Sequence, residues 1–465
     1  HNDFRFDITN TNNATMGTAS PTEFYAGKLK FGEATATLDL VRTFNLSAFS
    51  GPLNVALGGE FRRDMYGIEA GEPDSYRDGG VKVLDGPNAG AQPAPGAQVF
   101  PGFQPADAAD HSRTNVAGYV DLESNVLRNL LLGVAGRVEH YSDFGSTADG
   151  KFSGRLELAP GFAIRGAVST GFRAPSLSQE FFSATSTVFL NLGAGLVPVE
   201  TKTLPVTSGA AKALGAQPLK AENSVNASFG VALAPKKDLT VTADYYNIKI
   251  NNRIVFSGNF TGVAMTNFLA SQGFPGVGSA RFFTNAIDTH TKGVDVIARY
   301  AIDWRELGVF RLTGGYNHTR TKVTHVDSTS SALASQNAVL FDRIERGRIE
   351  IGQPHETISL ALDHTLGRWA SNLHVQKYGD VGFRGSATNP ALDQTFGAKW
   401  ITDVNASYAV LHPLRITIGA NNLFDVYPDK QIPANSNSGI FQYSNTVNTF
   451  GFNGRFVYVK ARYEL

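Results

Sequence analysis

The 465 residues carry 41 Lys+Arg against 41 Asp+Glu, so no basic excess marks a nucleic-acid binder, and the absence of cysteine excludes disulfides and thiolate metal sites. Forty-eight glycines and 11% aromatic residues suit strands, tight turns and interfacial girdles rather than a helical bundle, while 42% hydrophobic residues argue against wholesale disorder. No uninterrupted apolar stretch is long enough for a membrane-spanning helix, and the uncharged stretch Phe181 to Val199 is interrupted by Ser, Thr, Asn and Gly.

His1 opens the chain with no basic or apolar leader, so any secretion signal is expected upstream or already removed. Segments of period two then run from end to end. Sixteen strands are predicted, beginning near Phe4, Thr35, Leu53, Thr114, Leu130, Lys151, Phe162, Glu222, Leu239, Asn285, Gly308, His355, Arg368, Lys399, Leu414 and Gly454. In the strand from Phe162, the residues Phe162, Ile164, Gly166, Val168 and Phe172 oppose Arg165, Ser169 and Arg173, after a Pro160-Gly161 turn. The strand from Leu239 sets Leu239, Val241, Ala243 and Tyr245 against Thr240, Thr242 and Asp244, a polar face unsuited to a dry core. The chain ends on RFVYVKARYEL, where Val457, Val459, Ala461, Tyr463 and Leu465 share one face and Phe456, Tyr458, Lys460, Arg462 and Glu464 the other. A terminal strand with one apolar and one wet face fits a membrane barrel, whose last strand is expected to pair with its first.

Connections alternate between short and long, as in a barrel with short periplasmic turns and long outer loops. His412-Pro413 and Leu366-Gly367 are short, whereas 385–398 and 426–453 are long. Glu69 to Arg113, Ala174 to Ala221 and Phe256 to Thr284 exceed ordinary loop lengths and are expected to crowd one mouth of the barrel, as functional surfaces or as solvated loops. The predicted fold is therefore all-β: a transmembrane antiparallel β-barrel forming a single domain over residues 1–465.

Five segments then point to one family. RVEHYSDFGSTADGKFSGRLELAPGFAIRGAVSTGFRAPSLSQEFF, with GFRAPS at Gly171 to Ser176, resembles the mid-barrel region of TonB-dependent outer-membrane transporters. LKAENSVNASFG from Leu219 is similar to the strand after that family's next long loop, with Ala221 where Pro is frequent; TKGVDVIARY from Thr291 resembles a later strand. NNLFDVYP from Asn421 resembles the penultimate hairpin, and the closing RYEL the terminal assembly signal, with Leu465 in place of the usual Phe. Gly171 and Pro175 are expected where a strand leaves the sheet, and Asn421 with Asp425 where another bends into a loop.

The resemblance implies a twenty-two-stranded barrel, of which this chain would be the C-terminal portion, with the plug and the first strands absent. It implies energised uptake of a scarce substrate such as a ferric siderophore across the cell outer membrane. Its implied partners are outer-membrane lipid, the TonB energy-coupling complex through the absent N-terminal part, the barrel-assembly machinery and a small-molecule substrate; no cofactor is implied. Cobalamin, haem, oligosaccharide and peptide remain open as cargo.

Aromatic faces stack on catechols or sugars and arginine grips anions, so the candidate ligand-binding residues are Tyr76, Arg77, Phe100, Phe103, His111 and Arg113 of the first long loop. Phe181, Phe182, Phe441 and Tyr443 come from later loops. The rival reading is a passive sixteen-stranded porin, with Arg343, Arg346 and Arg348 beside Glu345 and Glu350 as a constriction, or merely as an ion-pair network. An enzyme is disfavoured: no GxSxG or HExxH occurs, and His318 and His325 read as isolated histidines.

Overall fold

The computed structural model describes residues 2–464 apart from 87–88, 91–92, 99, 192–195, 275–278, 335–339 and 437–440, and describes 186–191 and 196–200 by backbone alone. Leu465, the expected last residue of the terminal strand, lies outside the described residues. One sixteen-stranded antiparallel sheet dominates, with its strands in chain order. We number them β1 (Asn2–Thr9), β2 (Glu23–Phe44), β3 (Leu53–Glu69), β4 (Ala109–Leu127), β5 (Leu130–Tyr141), β6 (Gly145–Ala159), β7 (Phe162–Arg173) and β8 (Glu222–Lys236). There follow β9 (Leu239–Phe256), β10 (Phe283–Asp303), β11 (Val309–Val326), β12 (Glu356–Leu366), β13 (Trp369–Tyr378), β14 (Lys399–Leu411), β15 (Leu414–Asn421) and β16 (Phe456–Tyr463).

Strand register separates two faces. Tyr300, Leu312, Leu362, Leu373, Val404, Ala420 and Val457 stand opposite one another in a single apolar row from β10 to β16. On the other face Arg165 grips Asp244 through two hydrogen bonds of 2.8 and 2.6 Å, and Asn317 donates to Asp295 at 2.6 Å. An apolar outer band and a hydrogen-bonded inner face are what a barrel wall between lipid and water requires. On the inner face Gly58, Gly293 and Gly419 lie across from Tyr119, Tyr246 and Tyr458, and a Cβ at any of them would fall 2.1–2.5 Å from atoms of the tyrosine. Each ring thus occupies the space its glycine leaves. Gly293→Val is expected to cost about 1–3 kcal/mol by displacing Tyr246, seen as a lower temperature for loss of heat-modifiable gel migration.

Two sequence expectations change. β2, β4 and β6 begin 12, 5 and 6 residues before Thr35, Thr114 and Lys151, because strands continue beyond the membrane where their outward positions turn polar. At roughly 3.3 Å per residue, the 22 residues of β2 run about 70 Å, well over the bilayer core. The terminal strand does not close on the first either: among the described residues β16 bonds only to β15 and β1 only to β2, so both are sheet edges. Each edge leaves a row of backbone N–H and C=O groups unpaired within the described sheet.

The alternation of connections holds, with Ser142-Asp143-Phe144 the short exception at the long-loop mouth. There the long loops fold on one another. A hairpin of Ala184–Asn191 with Leu196–Thr203 takes Ala280–Arg281 as a parallel third strand from another loop. Leu204, Ala211 and Leu214, Met265 and Leu269, and Leu333 share one buried core drawn from three loops.

Candidate ligand-binding site under the loops

The structure brings the first-loop and second-loop aromatics together, but as packing. Phe103 is 2% exposed. Its ring centroid lies 5.5 Å from Phe100, 6.0 Å from Phe6 and 6.1 Å from Phe182, over Tyr66 and Ile68 of β3. His111 stacks on Phe181 at 3.6 Å with 13° between the planes. This knot pins both loops to the inner face of β1–β4, because aromatic edges and faces pack well at these separations.

The arginines are likewise engaged. Arg113, 8% exposed, donates from Nε to Asp64 at 2.9 Å, approaches Asp143 at 3.4 Å and donates to the Pro175 carbonyl. The GFRAPS segment explains this geometry. β7 ends at Arg173, Pro175 stops its pairing, and Ser176 forms a reciprocal capping box with Gln179 on helix Leu177–Phe181. Arg77 pairs with Asp74 at 2.6 Å, while its carbonyl and that of Asp74 accept from the buried Asn13 amide. Tyr76 beside it caps a short turn, Pro73–Ser75, and is half-buried.

Glu180 faces the same cluster. Burial, then the charge of Asp143, push its carboxyl up to about 7 against the opposing pull of Arg113. A cavity of about 560 Å³ adjoins it, lined in part by Phe144, Phe181, Leu219 and Lys220. A folded-state value above the ordinary 4.5 stabilises the fold fully below pH 4.5, and that contribution is lost as pH rises through about 7. Limited proteolysis after helix Leu177–Phe181 is therefore expected to be slower at pH 5 than at pH 8, and Glu180→Gln should abolish the difference.

The last long loop presents its rings differently. Tyr427, Tyr443 and Phe452 form a ladder with centroids 6.2 and 5.6 Å apart and planes within 15°. Tyr427 is 40%, Phe452 49% and Phe441 60% exposed. Of the candidate residues, Tyr443 is the half-buried centre of this ladder, and Phe441 is exposed in the same loop. Tyr427 and Phe452 were missed, although Tyr427 lies within NNLFDVYP itself. That motif builds the turn: Asn422, rather than the expected Asn421, brackets Val426 through both its amide atoms, at 2.8 and 2.9 Å. Asp425 accepts from the Arg455 backbone as anticipated for a capping residue.

The arginine group near residue 345 forms the helix Arg343–Glu350, capped by Asp342. Arg343 binds Asp393, Arg346 binds Glu350 at 3.1 Å and Arg348 binds Glu345 at 3.0 Å, an ion-pair network joining two loops. Burial raises the Glu345 carboxyl and lowers Arg281 nearby. His325 approaches Asp327 at 3.1 Å, and His318 stands apart on β11.

This wall, its alternating turns and loops, and its strand motifs match the family described as TonB dependent receptor-like, beta-barrel, over residues 1–423. The chain belongs to that family. Membership places it in the outer membrane and among receptor barrels rather than enzymes, and gives the porin reading no support. It is 22% identical over 320 residues to the iron-regulated outer membrane virulence protein of Vibrio cholerae serotype O1, covering 68% of this chain and 41% of that protein. Its fold resembles the siderophore receptor PirA from Acinetobacter baumannii, with a TM-score of 0.58 at 14% identity over 94% of this chain and 55% of that one. A mutant ferric enterobactin receptor from Pseudomonas aeruginosa in complex with enterobactin gives 0.61 at 14% identity, over 99% and 58%. The chain thus spans about half the length of the proteins it matches.

Proposed function

We propose that this chain supplies most of the barrel wall and the outer recognition loops of a receptor for energised uptake of a ferric siderophore. The observation that carries the reading is the open sixteen-stranded sheet whose long loops fold together over one mouth. Its two unpaired edges call for additional strands, and about six preceding ones would complete a barrel of twenty-two. The lumen of so wide a barrel would be an open hole without a plug, so the plug and a segment engaging the TonB complex belong to the same proposal. The barrel-assembly machinery would insert the whole. Iron regulation of the Vibrio relative and the siderophore receptors of like fold support this substrate class.

Uptake of a radio-iron-loaded catecholate by iron-starved cells expressing the full-length protein tests the reading: accumulation should require both the receptor and an energised inner membrane. A large resting conductance in a planar bilayer would sink it. Within this chain, stacking on the exposed ladder is the favoured contact for catechol rings. Replacing Phe441 and Tyr443 together by Ala is expected to weaken catecholate binding up to about tenfold, measured by tryptophan quenching, with heat stability unchanged.

A further inference from the structure

The outward face of β9–β11 changes character just beyond the apolar band. Register places Lys249 opposite His290, which faces Lys322, and Asn247 opposite Lys292, which faces Arg320. The next row toward the band is Tyr245, Val294 and His318. Lys249, Lys292, His318, Arg320 and Lys322 are exposed, and they alternate with Thr289, Thr291, Thr321 and Val323 on the inner face. That inner face is covered by the loops: Ile287 and Val323 are buried against Phe341. The basic side chains therefore point away from the lumen, toward the bilayer.

Their height is set by what lies below them. Tyr245 and Tyr316, 42% and 38% exposed, share this face at the top of the apolar rows, where aromatic rings mark the level of the headgroups. Above the band elsewhere, most basic residues have an acid beside them, and Arg63 of β3, which stands alone there, reaches only the Ser112 hydroxyl at 3.5 Å among the described residues. Lys28 pairs with Asp3 and Glu69, Lys30 with Glu69, and Lys377 with Glu356. Among the described residues no ion pair includes Lys249, Lys292, Arg320 or Lys322. Of the acids bordering the grid, Glu356 is held by Lys377 at 2.9 Å, and Asp288 accepts the Asn252 backbone N–H at 2.9 Å. His290 is turned to Asn247 at 2.7 Å.

We propose that this grid on β9–β11 is a binding site for the phosphorylated headgroups of outer-leaflet lipid. Four long cations on alternate positions of adjacent strands offer point charges and a bidentate guanidinium to phosphate oxygens, while their aliphatic stems lie along the apolar wall. Acyl chains would continue down past Tyr245 and Val294 to the next row, Ala243, Val296 and Tyr316. The site needs only that this face meets the outer leaflet, and is independent of the cargo.

The test uses full-length protein in zwitterionic detergent, with diphosphoryl lipid A, the same lipid stripped of phosphate, and inorganic phosphate as probes. Native mass spectrometry should show saturable binding of diphosphoryl lipid A that weakens as ionic strength rises. The combined variant Lys249→Gln, Lys292→Gln, Arg320→Gln and Lys322→Gln is expected to lose at least about tenfold in affinity. The variant Lys249→Arg, Lys292→Arg and Lys322→Arg should retain it. Heat-modifiable migration reports folding; should the fourfold variant not fold, the pair Lys249→Gln and Lys322→Gln replaces it, with an expected loss of about fivefold. Unchanged affinity in the charge-neutral variant, equal binding of the dephosphorylated lipid, or full displacement by inorganic phosphate at equimolar concentration would each overturn the proposal.

Discussion

Replacing Arg113 by methionine is expected to destabilise the folded protein by about 3–5 kcal/mol, because one member of a buried ionic cluster is removed and its partners remain. Asp64 would keep only the 3.4 Å contact from Arg62, while Asp143 would lose its cation and the Pro175 carbonyl its donor. The effect should reach beyond β4, since Arg113 joins β3, the β5–β6 turn and the exit of β7. It should also push Glu180 further up, as Arg113 is the charge that restrains it. Urea unfolding of the inserted protein, followed by tryptophan emission, checks the first point, and the pH profile of proteolysis near Leu177–Phe181 the second. A loss below about 1 kcal/mol would show that the cluster behaves as an ordinary surface network.

Phe103→Ala should cost a similar amount, about 3–5 kcal/mol, through lost burial and the cavity left among Phe6, Phe100 and Phe182. The backbone bonds of Phe103 to Ala26 and Gly71 survive the substitution, so the expected outcome is a loosened loop on an intact wall. Protease nicking within 70–108 should rise and the unfolding midpoint fall together. Weaker ligand binding at unchanged stability would instead make Phe103 a ligand contact.

These two residues show where sequence reading stops. An aromatic ring or an arginine in a long loop has the same identity whether it meets a ligand or a neighbouring loop. Phe103 and Arg113 stand out by type alone, and only contacts with Phe6, Asp64 and Asp143, far away in sequence, reveal their packing role. The wall is far more legible. Period-two alternation and turn residues are local signals, so the starts of β3, β5, β7, β8, β9, β14 and β15 fall on the predicted residues. β2 reads short because Lys28 and Lys30 sit on its outward face, where a search for an apolar stripe finds none. No local signal announces Ala280–Arg281, which becomes a strand only because Lys202–Thr203 lies alongside.

That parallel pairing, with the shared core of Leu214, Leu269 and Leu333, has a mechanical consequence. Loops 174–221, 257–282 and 327–355 cannot separate individually without each exposing apolar surface that the other two cover. Passage of a bulky molecule between them would then require one cooperative opening, with a single barrier shared by all three, and not a sequence of small independent fluctuations.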